Sequence, residues 1–152
     1  MYFSFTEHDS ELVGELLYIQ SEYSLCYSPY SKNAGISILC GEYTGLDAIC
    51  ETGVVTHISG YNSKHVWLPM KLDMPKAKKA ELVAHFDDPP LRGTGIDYNR
   101  NWYTYYDNNS QCICIGDPNV TDNDVCVEFA NRIIAVLRGN DLIAIWAKIR
   151  EV

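Results

Sequence analysis

Residues 121–139 read TDNDVCVEFANRIIAVLRG and run straight into residues 140–149, NDLIAIWAKI. Whether this stretch is a metal loop, a pair of strands or a helix decides whether its acidic residues hold an ion, fill a turn or face a partner. Counted as a calcium loop from Asp117, it supplies Asp117, Asn119, Thr121 and Glu128, but the sixth place, which needs glycine for a sharp turn, holds Asp122. Pro118 and Asp124 break the pattern at the second and eighth places, so an ion site is rejected. As strands, RIIAVL (132–137) pairs with LIAIWA (142–147) across Gly139-Asn140, setting Ala135 opposite Ala144 and Ile133 opposite Trp146. That arrangement leaves DVCVEFAN (124–131) without a two-residue alternation.

A helical wheel sorts the whole segment. Asp124, Glu128, Asn131, Arg132, Ala135 and Arg138 share one side, and Val125, Cys126, Phe129, Ala130, Ile133, Val136 and Leu137 the other. Thr121-x-x-Asp124 resembles a capping box, Asp122 and Asp124 sit at the positive end of the dipole, and Arg138 with Gly139 closes the last turn. The spacing therefore predicts a late amphipathic helix over Asp122–Arg138, dependent on packing because of its β-branched residues. DLIAIWAKI then reads as a final strand covered on both faces.

Thr6-x-x-Asp9 is a second capping box, and Leu12, Val13, Leu16 and Leu17 follow at helical spacing, which predicts an N-terminal helix over Glu7–Gln20. Between the helices the chain turns strand-like: YSLCY, GISILCGEY, LDAIC, VVTHISG, HVWLPMKL, WYTYYD and QCICIG, separated by the turn compositions SPYSKN, ETG, GYNS and DNNS. PKAKKAELVAHF suggests a short helix from Pro75, against which three early lysines oppose the dipole. The expected fold is α+β: one domain over residues 1–152, with an antiparallel sheet of about five to seven strands, the two helices and the final strand.

With 152 residues and 47% apolar composition, the chain has enough surface to bury a core of its own. The opening MYFSFTEHDSELVGE has neither a basic start nor an apolar run of signal length, and nothing reaches the roughly 18 apolar residues of a membrane span. A cytoplasmic protein is expected, and its six cysteines are read as free thiols.

The formal net charge of −8 argues against nucleic acid as a partner. Charge is also uneven: residues 86–128 hold eight acidic side chains against only Arg92 and Arg100, together with Trp102 and four of the eleven tyrosines. Interleaved carboxylates and rings suit a surface that recognises a basic partner.

Reactive constellations are sparse. His85-Phe86-Asp87-Asp88 offers a base and two carboxylates, and His57 and His65 flank SGYNSK, but no third metal ligand can be named. RGTGIDYN (92–99) lacks the third glycine and the strand-then-helix setting of a phosphate cradle. No cysteine lies beside a basic residue that would activate it. No catalytic residue, metal or cofactor is therefore expected. The rival reading is a small-molecule- or metal-binding α+β domain with hydrolytic activity built on His57, His65 and His85.

WYTYYDN, then VTDNDVCVEFANRIIAVL, then LIAIW resembles small immunity proteins of bacterial polymorphic toxin and contact-dependent growth inhibition systems. The likeness spans Trp102–Lys148 and rests on a helix bearing Glu128-Phe129-Ala130 and a terminal strand ending in Trp146, with Leu137-Arg138-Gly139-Asn140-Asp141 where the family pattern has Arg-Pro. The resemblance implies inhibition without chemistry: binding to a cognate toxin domain, of nuclease or deaminase type, and blocking its active site or substrate groove. On that reading Asp87, Asp88, Asp97 and Asp107 supply charge, and Tyr103 and Tyr105 are the anchors.

Overall fold

The computed structural model covers residues 1–152, and its stretch from Val125 to Arg138 is a β-hairpin, not a helix. The chain forms β1 (Tyr2–Glu7), β2 (Glu15–Ile19), β3 (Ser24–Ser28), β4 (Ala34–Cys40), β5 (Thr44–Ile49), β6 (Val55–Tyr61) and β7 (Leu68–Pro69). It continues through β8 (Lys78–His85), β9 (Gly95–Asn99), β10 (Thr104–Asp107), β11 (Cys112–Gly116), β12 (Val125–Ala130), β13 (Ile133–Arg138) and β14 (Asp141–Glu151). The only helical pieces are single 3₁₀ turns at Gln20–Glu22 and Lys64–Val66. The α+β expectation is thus corrected to a nearly all-β fold, and five to seven strands become fourteen. No helix is long and apolar enough to cross a membrane.

Why the helical wheel misled is visible residue by residue. Both faces of β13 are buried, with Ile133, Ala135 and Leu137 in the interior cluster and Ile134 and Val136 in an outer one. A strand covered on both sides shows no polar alternation. In β12 a bulge between Glu128 and Ala130 places Phe129 and Ala130 both inside, which breaks the two-residue period again. The capping-box contact does form: the Asp124 carboxylate accepts the Thr121 N–H at 2.9 Å, but it closes a turn that leads into a strand. Arg138 forks onto the same carboxylate at 2.8 and 3.0 Å, tying the two ends of the β12–β13 hairpin.

That fork, ahead of the Thr121 N–H, holds the Asp124 carboxyl down at about 2, against about 3.9 when unfolded. A carboxyl depressed in the folded state adds stability above its unfolded pKa and loses it as pH falls through the folded one. Asp124→Asn is therefore expected to melt below wild type at neutral pH, and the gap in Tm to close between about pH 4 and pH 2. A gap that persists unchanged at the acid end would show that the carboxylate's charge is not what stabilises.

The predicted N-terminal helix is instead a loop over residues 8–14 followed by strand β2. Leu16 and Tyr18 alternate inward along β2, Val13 is 67% exposed, and the helical spacing of the leucines is coincidental. Likewise Pro75 starts no helix: Ala80, Leu82 and Ala84 alternate inward along β8, between Lys79, Glu81 and Val83.

The main path of the sheet runs β1-β8-β12-β13-β14-β2-β3-β6-β5-β4-β9, with β11, β10 and β7 branching from β14. It curls into a half-barrel around an interior cluster of 29 buried residues. Its two ends meet where Phe3 of β1 packs edge-to-face on Tyr98 of β9, 5.4 Å between ring centres. The Tyr98 hydroxyl accepts the Leu142 N–H at 2.9 Å and donates to the Leu142 carbonyl at 3.0 Å, fastening β9 to β14 without a shared ladder.

β14 holds the architecture together. β11 takes one of its edges, while β13 and then β2 take the other in succession, the β13 pairing ending at Ala147 and the parallel β2 pairing starting at Ile149. Ile134 stands opposite Trp146 and Ala135 opposite Ile145, one residue from the register read off the sequence. A bulge between Val136 and Leu137 accounts for the shift, since the pairs nearest the turn keep the simpler register. On the outer face Leu72, Cys112, Cys114, Ile134, Val136, Ala144 and Trp146 form a second cluster. The segment around Leu72 crosses it, held by the Leu72 N–H to Asp107 at 2.9 Å and by Ser110 Oγ donating to the Leu72 carbonyl at 3.2 Å.

Candidate partner-binding surface

An aromatic cleft of about 760 Å³ opens where β5, β6 and the segment before β10 converge. Pairing of Thr44 with Gly60 brings Tyr43 against Tyr61, whose rings meet edge-to-face at 5.8 Å, and Tyr23 continues the row at 6.3 Å. Gly60 makes this approach possible: at φ +118 it is in glycine-only backbone, and a Cβ there would fall 2.4 Å from the Tyr43 carbonyl oxygen. Trp102, Tyr103, Val66 and Leu68 complete the walls. Much of this apolar surface faces water, Val66 at 70%, Tyr103 at 66% and Tyr43 at 53% exposure.

The cleft is rigid beneath. Asn62 donates to Thr104 Oγ1 at 2.9 Å and accepts from the Trp67 indole at 2.6 Å. The Lys64 N–H reaches the Tyr18 hydroxyl at 2.9 Å, and the Lys64 ammonium pairs with Glu151 while lying 4.6 Å from the centre of the Tyr106 ring. Residues 62–67 are thereby stapled to the end of β14, so the walls are ordered before anything binds. Glu42 and Arg100 stand at the rim, and Arg100 pairs with Asp97 at 3.7 Å.

The residues singled out in the sequence fall in different places. Tyr103 is in the cleft, and Asp97 lies beside it through Arg100. Tyr105 instead turns onto the outer cluster, while Tyr106 points into the interior. Asp107 is spent internally: it accepts N–H groups of Leu72 at 2.9 Å, Asn109 at 2.9 Å and Ser110 at 3.5 Å, and the first of these chiefly holds its carboxyl below the usual range. Asp87 is 91% exposed against the N-terminal amine at 3.5 Å, and Asp88 is exposed next to it. Asp87 belongs to the Asn140 end of β14, to which Phe3 is hydrogen-bonded, and Asp107 to the Lys148 end, some 25 Å away by strand rise. Tyr23, Tyr43, Tyr61, Val66 and Leu68 were not singled out, because the sheet collects them from distant segments. The one local signal is Gly60-Tyr61, a glycine before an aromatic at the end of a strand-like run.

The three histidines of the hydrolase reading do not converge. His57 is buried and stacked on Tyr27; its Nε2 accepts the Ser31 N–H at 3.1 Å, and its Nδ1 lies 3.1 Å from Asp47, out of line for a hydrogen bond. Ser59 Oγ donates to the same Asp47 carboxylate. With Nε2 occupied by backbone, the ring has no basic nitrogen left for a substrate. His65 sits beside Tyr23, and His85 stacks on Tyr2 at 4.4 Å with Nε2 2.6 Å from Ser4 Oγ. All six cysteines are unpaired; burial pushes the Cys40 and Cys112 thiols up to about 12 and Cys114 higher still, which makes them poor nucleophiles.

Comparison of the chain with protein-family models and with curated proteins found no match. The surface just described has aromatic walls held from beneath by hydrogen bonds, with Glu42 and Arg100 as its charged lining residues.

Proposed function

We propose that this protein acts by binding, as an immunity protein that neutralises a basic toxin domain of nuclease or deaminase type, with the Tyr43–Tyr61–Tyr103 cleft as its anchor surface. The observation that carries the reading is the row of exposed rings, Tyr23, Tyr61 and Tyr43, continued by Val66 and Tyr103. Exposed apolar patches of this kind mark interaction sites, and tyrosine supplies large contact area at small entropic cost. The net charge of −8 favours a basic partner, since a protein of that charge draws a cationic cleft toward itself by long-range steering. The Glu128-Phe129-Ala130 helix of the family pattern is a strand in this chain, so the proposal stands on the surface and the charge.

The test is direct binding to the C-terminal domain encoded by the adjacent reading frame, where a toxin gene is expected. Wild type should bind, and Tyr61→Ala with Tyr103→Ala should weaken binding about 100-fold, through faster dissociation, as central aromatic anchors do. Asp87→Asn, Asp88→Asn and Asp97→Asn together should slow association at low salt and leave dissociation unchanged. Asp107 is left out of that set because its carboxylate closes a turn. A domain that does not bind, or one indifferent to the tyrosine pair, would refute the proposal.

A further inference from the structure

A second cleft, of about 700 Å³, lies where β13 and β2 part company along the same edge of β14. In a protein of net charge −8 its lining is basic: Arg132 enters from the β12–β13 turn, and Lys148 and Arg150 project from one face of β14, two residues apart. Arg150 forks onto Glu15 at 2.8 and 3.0 Å. The Arg132 and Lys148 side chains form no salt bridge, while the Glu128 carboxylate, outside the lining, accepts the Arg132 backbone N–H at 2.7 Å. The lining therefore carries three cations and one carboxylate, a surplus of two positive charges.

Neutral polar groups surround them. Ser28 brings a hydroxyl, while Ser110 Oγ donates to the Leu72 carbonyl at 3.2 Å and the Gln111 amide to the Asn108 carbonyl at 2.7 Å, which fixes that wall. Two of the three non-glycine residues with left-handed backbone, Gln111 at φ 56 and Arg132 at φ 58, line this one cleft. Such conformations persist only where surrounding structure imposes them. Here it does: Asn131 Nδ2 donates to the Gly14 carbonyl at 2.8 Å, and the Tyr27 hydroxyl donates to the Val13 carbonyl at 2.6 Å, so the walls on either side of the fork are pinned.

We infer that this fork is a binding site for a small phosphorylated ligand, whose terminal phosphoryl dianion sits between Arg132, Lys148 and Arg150. Guanidinium groups recognise tetrahedral oxyanions through paired N–H donors, and lysine adds a point charge. A dianion matches the surplus of two, whereas one carboxylate would leave a cation uncompensated. The lining has no aromatic ring to stack on a base, which disfavours nucleic acid, and its volume leaves room for the body of a metabolite-sized molecule.

Calorimetric titration of the whole protein with pyrophosphate near neutral pH, against sodium chloride of matched ionic strength, is expected to show saturable one-to-one binding. Lys148→Gln and Arg132→Gln should each weaken it about tenfold, the loss of one charge-assisted contact. Lys32→Gln, an exposed lysine elsewhere, should leave it unchanged. Inorganic phosphate should compete and acetate should not. Heats no larger than those of chloride, an equal loss in Lys32→Gln, or full competition by acetate would overturn the inference. A single-stranded oligonucleotide that binds more tightly than pyrophosphate would overturn the small ligand in favour of a nucleic-acid backbone.

Discussion

Trp146→Ala is expected to cost about 3–5 kcal/mol in urea unfolding, while Trp146→Phe should cost less than about 1.5 kcal/mol. The indole is 4% exposed on the outer cluster, directly opposite Cys114 on β11 and Ile134 on β13. Truncation to alanine opens a cavity at the centre of three strands, and the hydrogen-bonded ladders around it restrict collapse. Yet no protein group accepts its Nε1–H, and a buried donor without a protein partner adds little to stability. Phenylalanine keeps most of the ring and removes that donor, and the two effects nearly offset. If phenylalanine proves as damaging as alanine, the indole N–H is satisfied after all, for instance by a buried water.

Gly116→Ala should destabilise by about 3 kcal/mol or more, the sum of glycine-only backbone and a forced backbone shift. Gly116 ends β11 at φ +111, and a Cβ there would stand 2.5 Å from the Ile143 carbonyl oxygen and 3.0 Å from Ala144 Cα. It would also press on Trp102 at 3.2 Å, in the wall of the aromatic cleft. The variant is therefore expected to lose stability and to alter the environment of Trp102 together, read by urea titration and by tryptophan fluorescence in a Trp67→Phe, Trp146→Phe background. Unchanged stability would mean that β14 can yield at this point.

Much of the sheet was legible. ISILC, VVTHIS and QCICIG read as strands from β-branched and alternating residues, and these segments are β4, β6 and β11. The last strand was legible too, but its hairpin across Gly139-Asn140, whose register differs by the one residue that the β13–β14 bulge absorbs, gave way to the helix reading. What failed was the choice between two periods where both faces are buried. In residues 125–137 only Glu128, Asn131 and Arg132 are polar, and Glu128 and Arg132 lie four apart because a bulge and a turn intervene, so they mimic a helix face. The lysines that lead into β8 hid a strand for another reason: the inward residues of β8 include two alanines, too small to advertise alternation.

The candidate surface was harder to read, because it is a product of pairing rather than of sequence proximity. Residues 86–128 concentrate acid and aromatic side chains, but the strands that carry them point Tyr105 and Tyr106 to opposite faces and consume Asp107 in a turn. Tyr43 and Tyr61 are 18 positions apart and become neighbours only through the β5–β6 register. The basic fork combines residues 14–16, 110–111, 131–132 and 148–150, which no local pattern joins.

The position of β14 also bears on how the chain matures in synthesis. β2, β11 and β13 have no common neighbour until residues 141–151 have left the ribosome, and until then each keeps an open row of amides and carbonyls. The parallel closure onto β2 links segments more than 130 residues apart, the kind of contact that forms slowly. Nascent chains are thus exposed to edge-to-edge association until β14 emerges, and a holdase that masks strand edges should raise the soluble yield more than one that masks apolar side chains.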